Sequence, residues 1–288
     1  MTRVITTEAR PVRTQFLVFT LFGEYVVQRG GKVWTSSLLY LMGLLGVSER
    51  AVRSTLSRMS QKGWIATEKR GRRSRYYVTA RGYALLDEGQ RRIFEPVITE
   101  WDGQWHIVLY SLPEEIRRRR HALRTKLSWL GFGRLAPSTW ISPHDRGGEL
   151  KSVFDDLLVE PYIDLFSGVY LGPESSEDLA SRCWDIAGLD SQYKSFIAHY
   201  EPEYTRFQAH ENAGHSFSEE ECFSRRFWLT HEFQSFPLRD PNLPTALLEP
   251  EWTGFKARKL FDDYRHRLEV HVNDFVDRIV CGDGYING

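Results

Sequence analysis

The sequence predicts a multidomain α+β protein, and three features of the chain favour this class. Its 288 residues exceed the usual length of one domain, and its hydrophobic content of 41% is ordinary for globular proteins. Residues 1–95 hold 17 Lys/Arg against 7 Asp/Glu, whereas the remainder holds 21 against 31. Helical periodicity dominates both ends of the chain, and strand-like segments are concentrated in the middle. We therefore expect a basic N-terminal domain (1–95), a mixed middle domain (96–172) and a helical C-terminal domain (173–288).

The N-terminal domain is predicted to begin with two helices. Apolar residues recur at helical spacing from Phe16 to Val26, and Gly30-Gly31 ends this segment. Thr35 is placed to cap a second, apolar helix that extends through Leu45. A tight turn at Gly46-Val47 then leads into a third helix.

The third helix has one apolar stripe and one polar ridge. Ser48 is a good N-cap because its hydroxyl can accept a backbone N–H of the first turn, and Gly63 suits the left-handed residue after the last turn. Val52, Leu56 and Met59 share a narrow apolar stripe. The opposite face and its flanks carry the residues Arg50, Arg53, Ser54, Ser57, Arg58 and Gln61. The helix therefore buries one side and presents hydrogen-bonding and positively charged groups on the other.

A basic hairpin follows the third helix directly. The segments 64–69 and 74–79 read as strands joined by the turn Arg70–Arg73, which contains Gly71. Five cationic side chains fall within seven positions: Lys69, Arg70, Arg72, Arg73 and Arg75. Three helices followed by a basic hairpin predict a winged helix-turn-helix, with the third helix in a DNA major groove and the hairpin on flanking phosphates.

The middle domain is predicted to be ferredoxin-like. Strands are expected at Trp105–Tyr110, Thr139–Ser142 and Tyr162–Tyr170, with helices from Pro113 to Leu130 and from Glu149 to Leu158. The segment 132–135 leads into the second of these strands, which gives a β-α-β-β-α-β order over residues 101–172. From Pro173 onward the pattern is helical, over 176–187, 191–204, 219–236 and 254–280.

Other classes of protein receive little support from the sequence. No apolar run approaches the roughly 20 residues that span a bilayer. Cys183, Cys222 and Cys281 are odd in number and widely spaced, so we expect a reduced, cytoplasmic protein. The chain has no phosphate loop and no dinucleotide-binding glycine pattern, and its histidine pairs are five residues apart. We therefore expect no enzyme activity, no catalytic residues, no bound cofactor and no metal site.

Over nearly its whole length the chain resembles the PaaX family of bacterial repressors of phenylacetate catabolism. The residues that carry the resemblance are Val52-Arg53, Leu56-Ser57-Arg58, Gly63-Trp64, Gly71-Arg72-Arg73-Ser74, Tyr76, Thr79, Gly82, Trp101, Trp105, Leu130-Gly131-Phe132-Gly133, Trp140-Ile141-Ser142-Pro143, Asp240-Pro241-Asn242-Leu243-Pro244, Leu247-Leu248, Trp252 and Gly254. The resemblance implies a homodimer that binds double-stranded operator DNA and is released by an aryl-acyl-coenzyme A such as phenylacetyl-coenzyme A. At Glu249 and Thr253, where the family pattern has prolines, this chain differs, so a related acyl thioester could be its effector.

Six residues are candidates for the effector site. An aryl-acyl thioester needs an apolar slot for the ring and positive groups for the phosphates of its carrier. Residues with these two chemistries are Arg225, Arg226, Trp228 and His231, with Trp252 closing the slot and Trp140 as a further wall. Trp140 and Trp228 could instead be ordinary core residues.

Two other functions stay open at this point. A ferredoxin-like domain with Asp102 beside its first strand could serve a metal-dependent nuclease, although one carboxylate is not a two-metal site. A DNA-architectural protein without a ligand would show little preference for one DNA site.

Overall fold

The computed structural model describes residues 14–94, 100–237 and 239–282. Helices and two antiparallel sheets are both present, which confirms the mixed α+β class. The chain forms two compact units. The first contains residues 1–95, 202–233 and 261–288, and the second contains 96–201 and 234–260. The three-domain division of the sequence stays a prediction, and these units group the N-terminal residues with parts of the C-terminal helices.

The first unit begins with one long helical segment whose winding changes along its length. It runs as α1 (Thr14–Leu21), a π-helical turn (Phe22–Val26) and a 3₁₀ turn (Val27–Arg29). Gly30 and Gly31 then adopt φ of 85° and 68°, which favours glycine and ends the helix as predicted. The buried side of this segment includes Leu21, Phe22 and Tyr25.

Three helices and a small sheet follow in the first unit. The helices are α2 (Thr35–Leu44), α3 (Glu49–Gln61) and α4 (Ala80–Phe94). The strands β1 (Lys32–Trp34), β2 (Ile65–Arg70) and β3 (Arg73–Val78) form an antiparallel sheet in the order β1-β3-β2. The predicted hairpin is present, with strand ends shifted by one residue. The strand β1 was not predicted, because three residues are too few to show an alternating pattern.

Thr35 does not cap α2 as the sequence suggested. Trp34 occupies the N-cap position without a side-chain hydrogen bond. The Thr35 hydroxyl instead donates to the carbonyl oxygen of Ser74 at 2.9 Å. This bond ties the start of α2 to β3.

The second unit contains a four-stranded antiparallel sheet in the order β5-β6-β4-β7. Its strands are β4 (Trp105–Tyr110), β5 (Gly133–Ala136), β6 (Thr139–Ser142) and β7 (Ile163–Gly168). The helices α5 (Arg117–Trp129) and α6 (Gly147–Leu157) follow β4 and β6 respectively. They pack on one face of the sheet around a core that includes Val108, Leu123, Leu127 and Phe154.

The other face of this sheet is also covered. Trp105 and Ile141 pack there with Leu179 of α7 (Ser176–Cys183) and with Leu243 and Leu247 of a later segment. The remaining helices are α8 (Ile186–Asn212), α9 (Glu219–Phe233) and α10 (Thr253–Cys281). The boundary between the two units falls within α8 and α10. No helix among the described residues is long and apolar enough to cross a membrane.

Candidate nucleic-acid interface

Helix α3 has the cap and the buried stripe that the sequence predicts. The Ser48 hydroxyl accepts the backbone N–H of Ala51 at 3.4 Å, and Gly63 adopts φ of 70° beyond the C-terminus. Val52, Leu56 and Met59 are fully buried, as is Thr55 between them. These contacts fix the rotation of the helix about its axis, and that rotation determines which residues face outward.

The outward residues of α3 differ in whether they already bond to a neighbouring side chain. All six ridge and flanking residues are exposed: Arg50, Arg53, Ser54, Ser57, Arg58 and Gln61. Arg53 donates from Nε to Glu49 Oε1 at 2.6 Å, and Arg58 donates to Thr55 Oγ1 at 3.1 Å. Arg50 forms no ion pair with any residue in the described ranges. The Arg50 guanidinium is therefore available to an external partner without breaking an internal contact.

Four of the five hairpin cations fall into two pairs that differ in whether they already form an ion pair. Arg70 and Arg75 both pair with Glu68, at 3.0 Å and 2.8 Å, and these bonds hold the pKa of Glu68 below its ordinary value, Arg75 contributing most. Lys69 and Arg72 are exposed and have no ion pair within the part of the chain that the structure describes. Lys69 and Arg72 are thus the hairpin cations best placed to meet a phosphate.

Trp34 packs beside the part of β3 that is nearest the hairpin turn. The guanidinium carbons of Arg73 and Arg75 lie 5.9 Å and 5.8 Å from the centroid of the Trp34 ring. Such stacking is a cation–π contact and restricts both side chains. The Arg75 side chain is only 20% exposed, so it serves the fold of the hairpin more than its outer surface. Sequence reasoning missed the role of Trp34, because nothing in the local sequence indicates that Trp34 lies beside β3.

The effector candidates on α9 do not converge on one site. Arg226 is buried and pairs with Glu24 of the π-helical turn. Arg225 instead donates to Glu203 Oε1 at 2.7 Å, an oxygen that also accepts the hydroxyl of Tyr264 at 2.8 Å. Both guanidinium groups therefore already serve contacts inside the first unit.

Trp228 and His231 form an aromatic pair on the same helix. Their ring centroids are 5.7 Å apart in an edge-to-face arrangement, and Trp228 is half-buried. The Nδ1 atom of His231 lies 2.9 Å from the Thr20 hydroxyl oxygen. Burial lowers the pKa of His231 to about 4, so its ring is neutral near neutral pH. A neutral ring would not contribute the positive charge that the sequence argument assigned to it.

Trp140 and Trp252 both lie in the second unit. Trp140 is 5% exposed and packs in the core between the sheet and helices α5 and α6. Trp252 is buried at the start of α10, where its ring meets Tyr193 edge-to-face at 5.9 Å. Of the two alternatives for Trp140, its position fits the core residue.

Metal-ligating side chains are not clustered in the described ranges. No group of three His, Cys, Asp or Glu residues there could hold a metal ion. Asp102, the carboxylate considered for a nuclease, accepts the backbone N–H of Gln104 at 2.8 Å. That bond closes a local turn before β4.

Family models, a curated relative and a solved structure are similar to this chain. Residues 13–82 match the family model of the PaaX-like protein, residues 98–180 match the PaaX protein central Cas2-like domain, and residues 184–278 match the PaaX-like protein C-terminal domain. The transcriptional repressor PaaX of Escherichia coli K12 is 30% identical over 272 residues, which cover 93% of this chain and 84% of the relative. The solved structure of an uncharacterized Mycobacterium tuberculosis protein, Rv0674, has a similar fold, with a TM-score of 0.59 at 20% identity and coverage of 92% of this chain and 99% of that one.

Proposed function

The chain belongs to the PaaX family, and we propose that it is a DNA-binding transcriptional repressor whose N-terminal residues form a winged helix. In this function α3 is the recognition helix and the hairpin β2–β3 is the wing. The observation that carries the proposal is the outward ridge of α3, which holds the unpaired Arg50 beside Ser54 and Ser57 while the opposite stripe is buried. Arg50 and Ser54 lie in the N-terminal half of the helix, from which recognition helices reach base edges, and Ser57 continues the same ridge.

The wing supports the same function. Lys69 and Arg72 extend from a hairpin whose other cations are fixed by Glu68 and Trp34. A protein that neutralises phosphates with Lys or Arg releases condensed counterions, which supplies affinity for any DNA sequence. The ridge of α3 then contributes sequence preference, and the wing contributes affinity and register.

We propose a ferredoxin-like fold without enzymatic activity for the middle domain. The chain order β4-α5-β5-β6-α6-β7 with the sheet order β5-β6-β4-β7 supports this fold. Its role in the proposal is to connect the DNA-binding module to a regulatory C-terminal domain in a cytoplasmic protein without a cofactor.

The repressor is proposed to act as a homodimer that an aryl-acyl-coenzyme A releases from DNA. A single recognition helix reads too few bases to select one operon among roughly 10⁶–10⁹ competing sites, whereas a symmetric dimer reads two half-sites. The effector must bind the DNA-released geometry more tightly than the DNA-bound one, because only differential affinity shifts such an equilibrium. Phenylacetyl-coenzyme A is the effector to test first, and the target would be an operon for aromatic-compound catabolism.

The test is a footprint of the full chain on the DNA upstream of its own gene, with and without phenylacetyl-coenzyme A. We expect protection of two inverted half-sites separated by about one helical turn of 10–10.5 base pairs or a multiple of it. The thioester should remove this protection, and phenylacetate at equal concentration should not. Equal binding to the upstream region and to random DNA would contradict the repressor function. Cleavage of either DNA on addition of Mg²⁺ or Mn²⁺ would favour the nuclease instead.

A further inference from the structure

The second unit contains a cavity of about 270 Å³. Its walls come from the start of α8 and from the segment that precedes α10. The lining residues used below are Trp184, Asp185, Gln192, Arg239, Asp240 and Trp252, together with aliphatic side chains that include Leu189 and Leu248. We propose that this cavity holds the acyl group of the effector, an inference that rests on the proposed function.

The two indole walls are held in place by glycines. The Trp184 Nε1–H donates to the carbonyl oxygen of Gly131 at 3.2 Å, and a Cβ atom at Gly133 would lie 2.5 Å from the Trp184 ring. A Cβ atom at Gly254 would likewise lie 2.3 Å from Trp252 Nε1. Any larger residue at Gly133 would displace the indole of Trp184, and any larger residue at Gly254 would displace the indole of Trp252. The aromatic walls are therefore positioned before any ligand arrives, which lowers the ordering cost of binding.

The segment after Arg239 is equally well fixed. Asp240 accepts the Tyr193 hydroxyl at 2.8 Å and the backbone N–H of Asn242 at 2.7 Å. Asn242 adopts φ of 51°, and its carbonyl oxygen lies 2.7 Å from His144 Nε2. These bonds hold the backbone of this wall in one conformation. The cavity is thus a formed site with a rigid rim.

The size of the cavity selects which part of an acyl thioester can enter. A dry protein cavity of about 150 Å³ accommodates benzene, so about 270 Å³ accommodates one aromatic ring with a short acyl chain. Coenzyme A is several times larger and must stay outside. The cavity therefore fits a ring and its carbonyl carbon, with the carrier extending into solvent.

The charges of the lining favour a thioester over the free acid. Asp185 and Asp240 both line the cavity, and Arg239 lies at its exposed rim. Burial raises the pKa of Asp240, so the repulsion is assigned to Asp185, which accepts the backbone N–H of Gly188 at 3.0 Å. The carboxylate of a free aromatic acid would lie close to Asp185, whereas the carbonyl of a thioester is neutral. Like charges at short range repel, and the repulsion is moderated here because Asp185 is exposed. The cavity thus discriminates between two ligands that share the same ring.

Arg239 is suited to the carrier rather than to the ring. It is exposed, and its guanidinium donates to Gln192 Oε1 at 3.0 Å, so both residues belong to the solvent-facing part of the lining. A guanidinium binds phosphate through paired hydrogen bonds. Arg239 is therefore assigned to the phosphates of the carrier, and its removal should affect only ligands that carry them.

Calorimetry on the full-length protein can test the site with a neutral, truncated probe. S-phenylacetyl-N-acetylcysteamine has the ring and the thioester but no phosphate, and S-acetyl-N-acetylcysteamine lacks the ring. We expect the first to bind, the second not to bind, and phenylacetate to bind at least about tenfold more weakly than the first. Equal binding of phenylacetate and the phenylacetyl probe would overturn the charge argument and with it the assignment.

Substitutions then locate the binding. Leu248→Trp fills the cavity and should weaken the phenylacetyl probe by roughly tenfold or more, because the ring loses its buried contact area. Gln192→Trp blocks the exposed rim without disturbing the core and should have the same effect. Leu85→Trp, on the exposed face of α4, is the matched control and should bind like the wild type. Unchanged binding in both Leu248→Trp and Gln192→Trp would place the site elsewhere.

Charge variants separate the ring site from the carrier site. Asp185→Asn keeps an oxygen that can accept the backbone N–H of Gly188. It should reduce the ratio of the affinity for the phenylacetyl probe to the affinity for phenylacetate several-fold. Arg239→Ala should weaken the binding of phenylacetyl-coenzyme A by roughly tenfold and leave the binding of the truncated probe unchanged. If Arg239→Ala weakens both ligands equally, the carrier assignment is wrong.

DNA binding distinguishes failure of this inference from failure of the proposed function. If phenylacetyl-coenzyme A releases DNA from Leu248→Trp and from the wild type at the same concentration, the cavity is not the effector site and the repressor function is unaffected. If the probe binds the wild type but not Leu248→Trp, while no acyl-coenzyme A changes operator binding, the cavity site is supported and effector control of the repressor is contradicted.

Discussion

Glu24 and Arg226 form an ion pair of 2.9 Å, with side chains that are only 2% and 3% exposed. Arg265 of α10 donates to the same Glu24 oxygen at 2.6 Å. Tyr25, adjacent in sequence, packs against Phe223 at 5.2 Å between ring centroids. The first helical segment is thus joined to α9 and α10 by a buried charge cluster and an aromatic contact inside one compact unit.

Removing the carboxylate of Glu24 should destabilise the protein strongly. Glu24→Gln leaves two guanidinium groups facing a neutral amide, and an uncompensated buried charge costs about 3 kcal/mol or more. Urea denaturation at neutral pH measures the change. Glu114→Gln breaks an exposed pair with Arg117 and should cost less than about 1 kcal/mol. Equal losses in the two variants would mean that the Glu24 cluster is not buried in solution.

Arg50 should contribute to base reading more than Arg53. Arg50→Ala is expected to lose about 1–3 kcal/mol of affinity for the cognate operator, with little change on random DNA. Arg53 already pairs with Glu49, so Arg53→Ala should have the smaller effect on selectivity. Fluorescence anisotropy on both DNAs at one salt concentration gives the comparison. A uniform loss on both DNAs would identify Arg50 as a phosphate contact.

The wing should be detectable in the salt dependence of DNA binding. Lys69→Ala and Arg72→Ala are each expected to reduce the log–log slope by about 0.9, because one phosphate contact is lost. Arg75→Ala should chiefly lower the melting temperature, since Arg75 is fixed by Glu68 and Trp34. Binding isotherms at several salt concentrations provide the slopes. Slopes unchanged in the first two variants would mean that the hairpin does not meet DNA.

His231 should make the protein less stable in mild acid. The pKa of His231 is lowered to about 4 by burial, against an ordinary value of 6.5, so the unfolded state takes up a proton first as the pH falls. The contribution of the neutral His231 ring to the free energy of unfolding is complete above about pH 6.5 and is lost progressively down to about pH 4. The loss should be on the order of 2–3 kcal/mol over this range.

The variant His231→Gln should flatten that part of the stability profile. His266→Gln, at a largely exposed position, is the control and should keep the wild-type slope. Denaturation curves at closely spaced pH values between 4 and 7 provide the profile. A wild-type slope in His231→Gln would assign the acid sensitivity to other groups.

The assembly state gives a further prediction. The full chain should sediment as a dimer both free and on DNA, with the protomers joined outside residues 1–95. Residues 1–95 alone should be monomeric and bind DNA far more weakly. The structure adds a reason, since the fragment would lose the helices that cover Glu24 and Tyr25. A monomeric full chain on DNA would contradict the dimer.

Local signals in the sequence were sufficient for α3 and the hairpin. Ser48 and Gly63 mark the ends of α3 through backbone chemistry that does not depend on distant residues, and the buried stripe follows from helical periodicity. Helix α8 was harder, since it was expected over 191–204 and extends over Ile186–Asn212 with Pro202 inside it. The predicted range already contained Pro202, so the difference lies at the two ends, where the helix begins five residues earlier and ends eight residues later than predicted.

Contacts between distant segments could not be predicted from the sequence. Arg226 was expected to meet an effector, but its partner Glu24 lies in the first helical segment and has no local signature. The same applies to Trp184, whose neighbours Gly131 and Gly133 belong to a different part of the chain. Trp252 was a candidate from its chemistry, and the structure adds the cavity around it.

The π-helical turn Phe22–Val26 makes the length of the first helical segment as important as its composition. A π-helical turn bonds residue i to i+5 and so accommodates more residues than an α-helical turn. Deleting one residue there would restore α-helical winding, which keeps the flanking helix nearly in phase but turns the residues inside the turn to other directions. Glu24 and Tyr25 could then no longer both point towards α9. The segment should therefore accept many substitutions at its exposed positions and reject single-residue insertions or deletions, a constraint on chain length rather than on residue type.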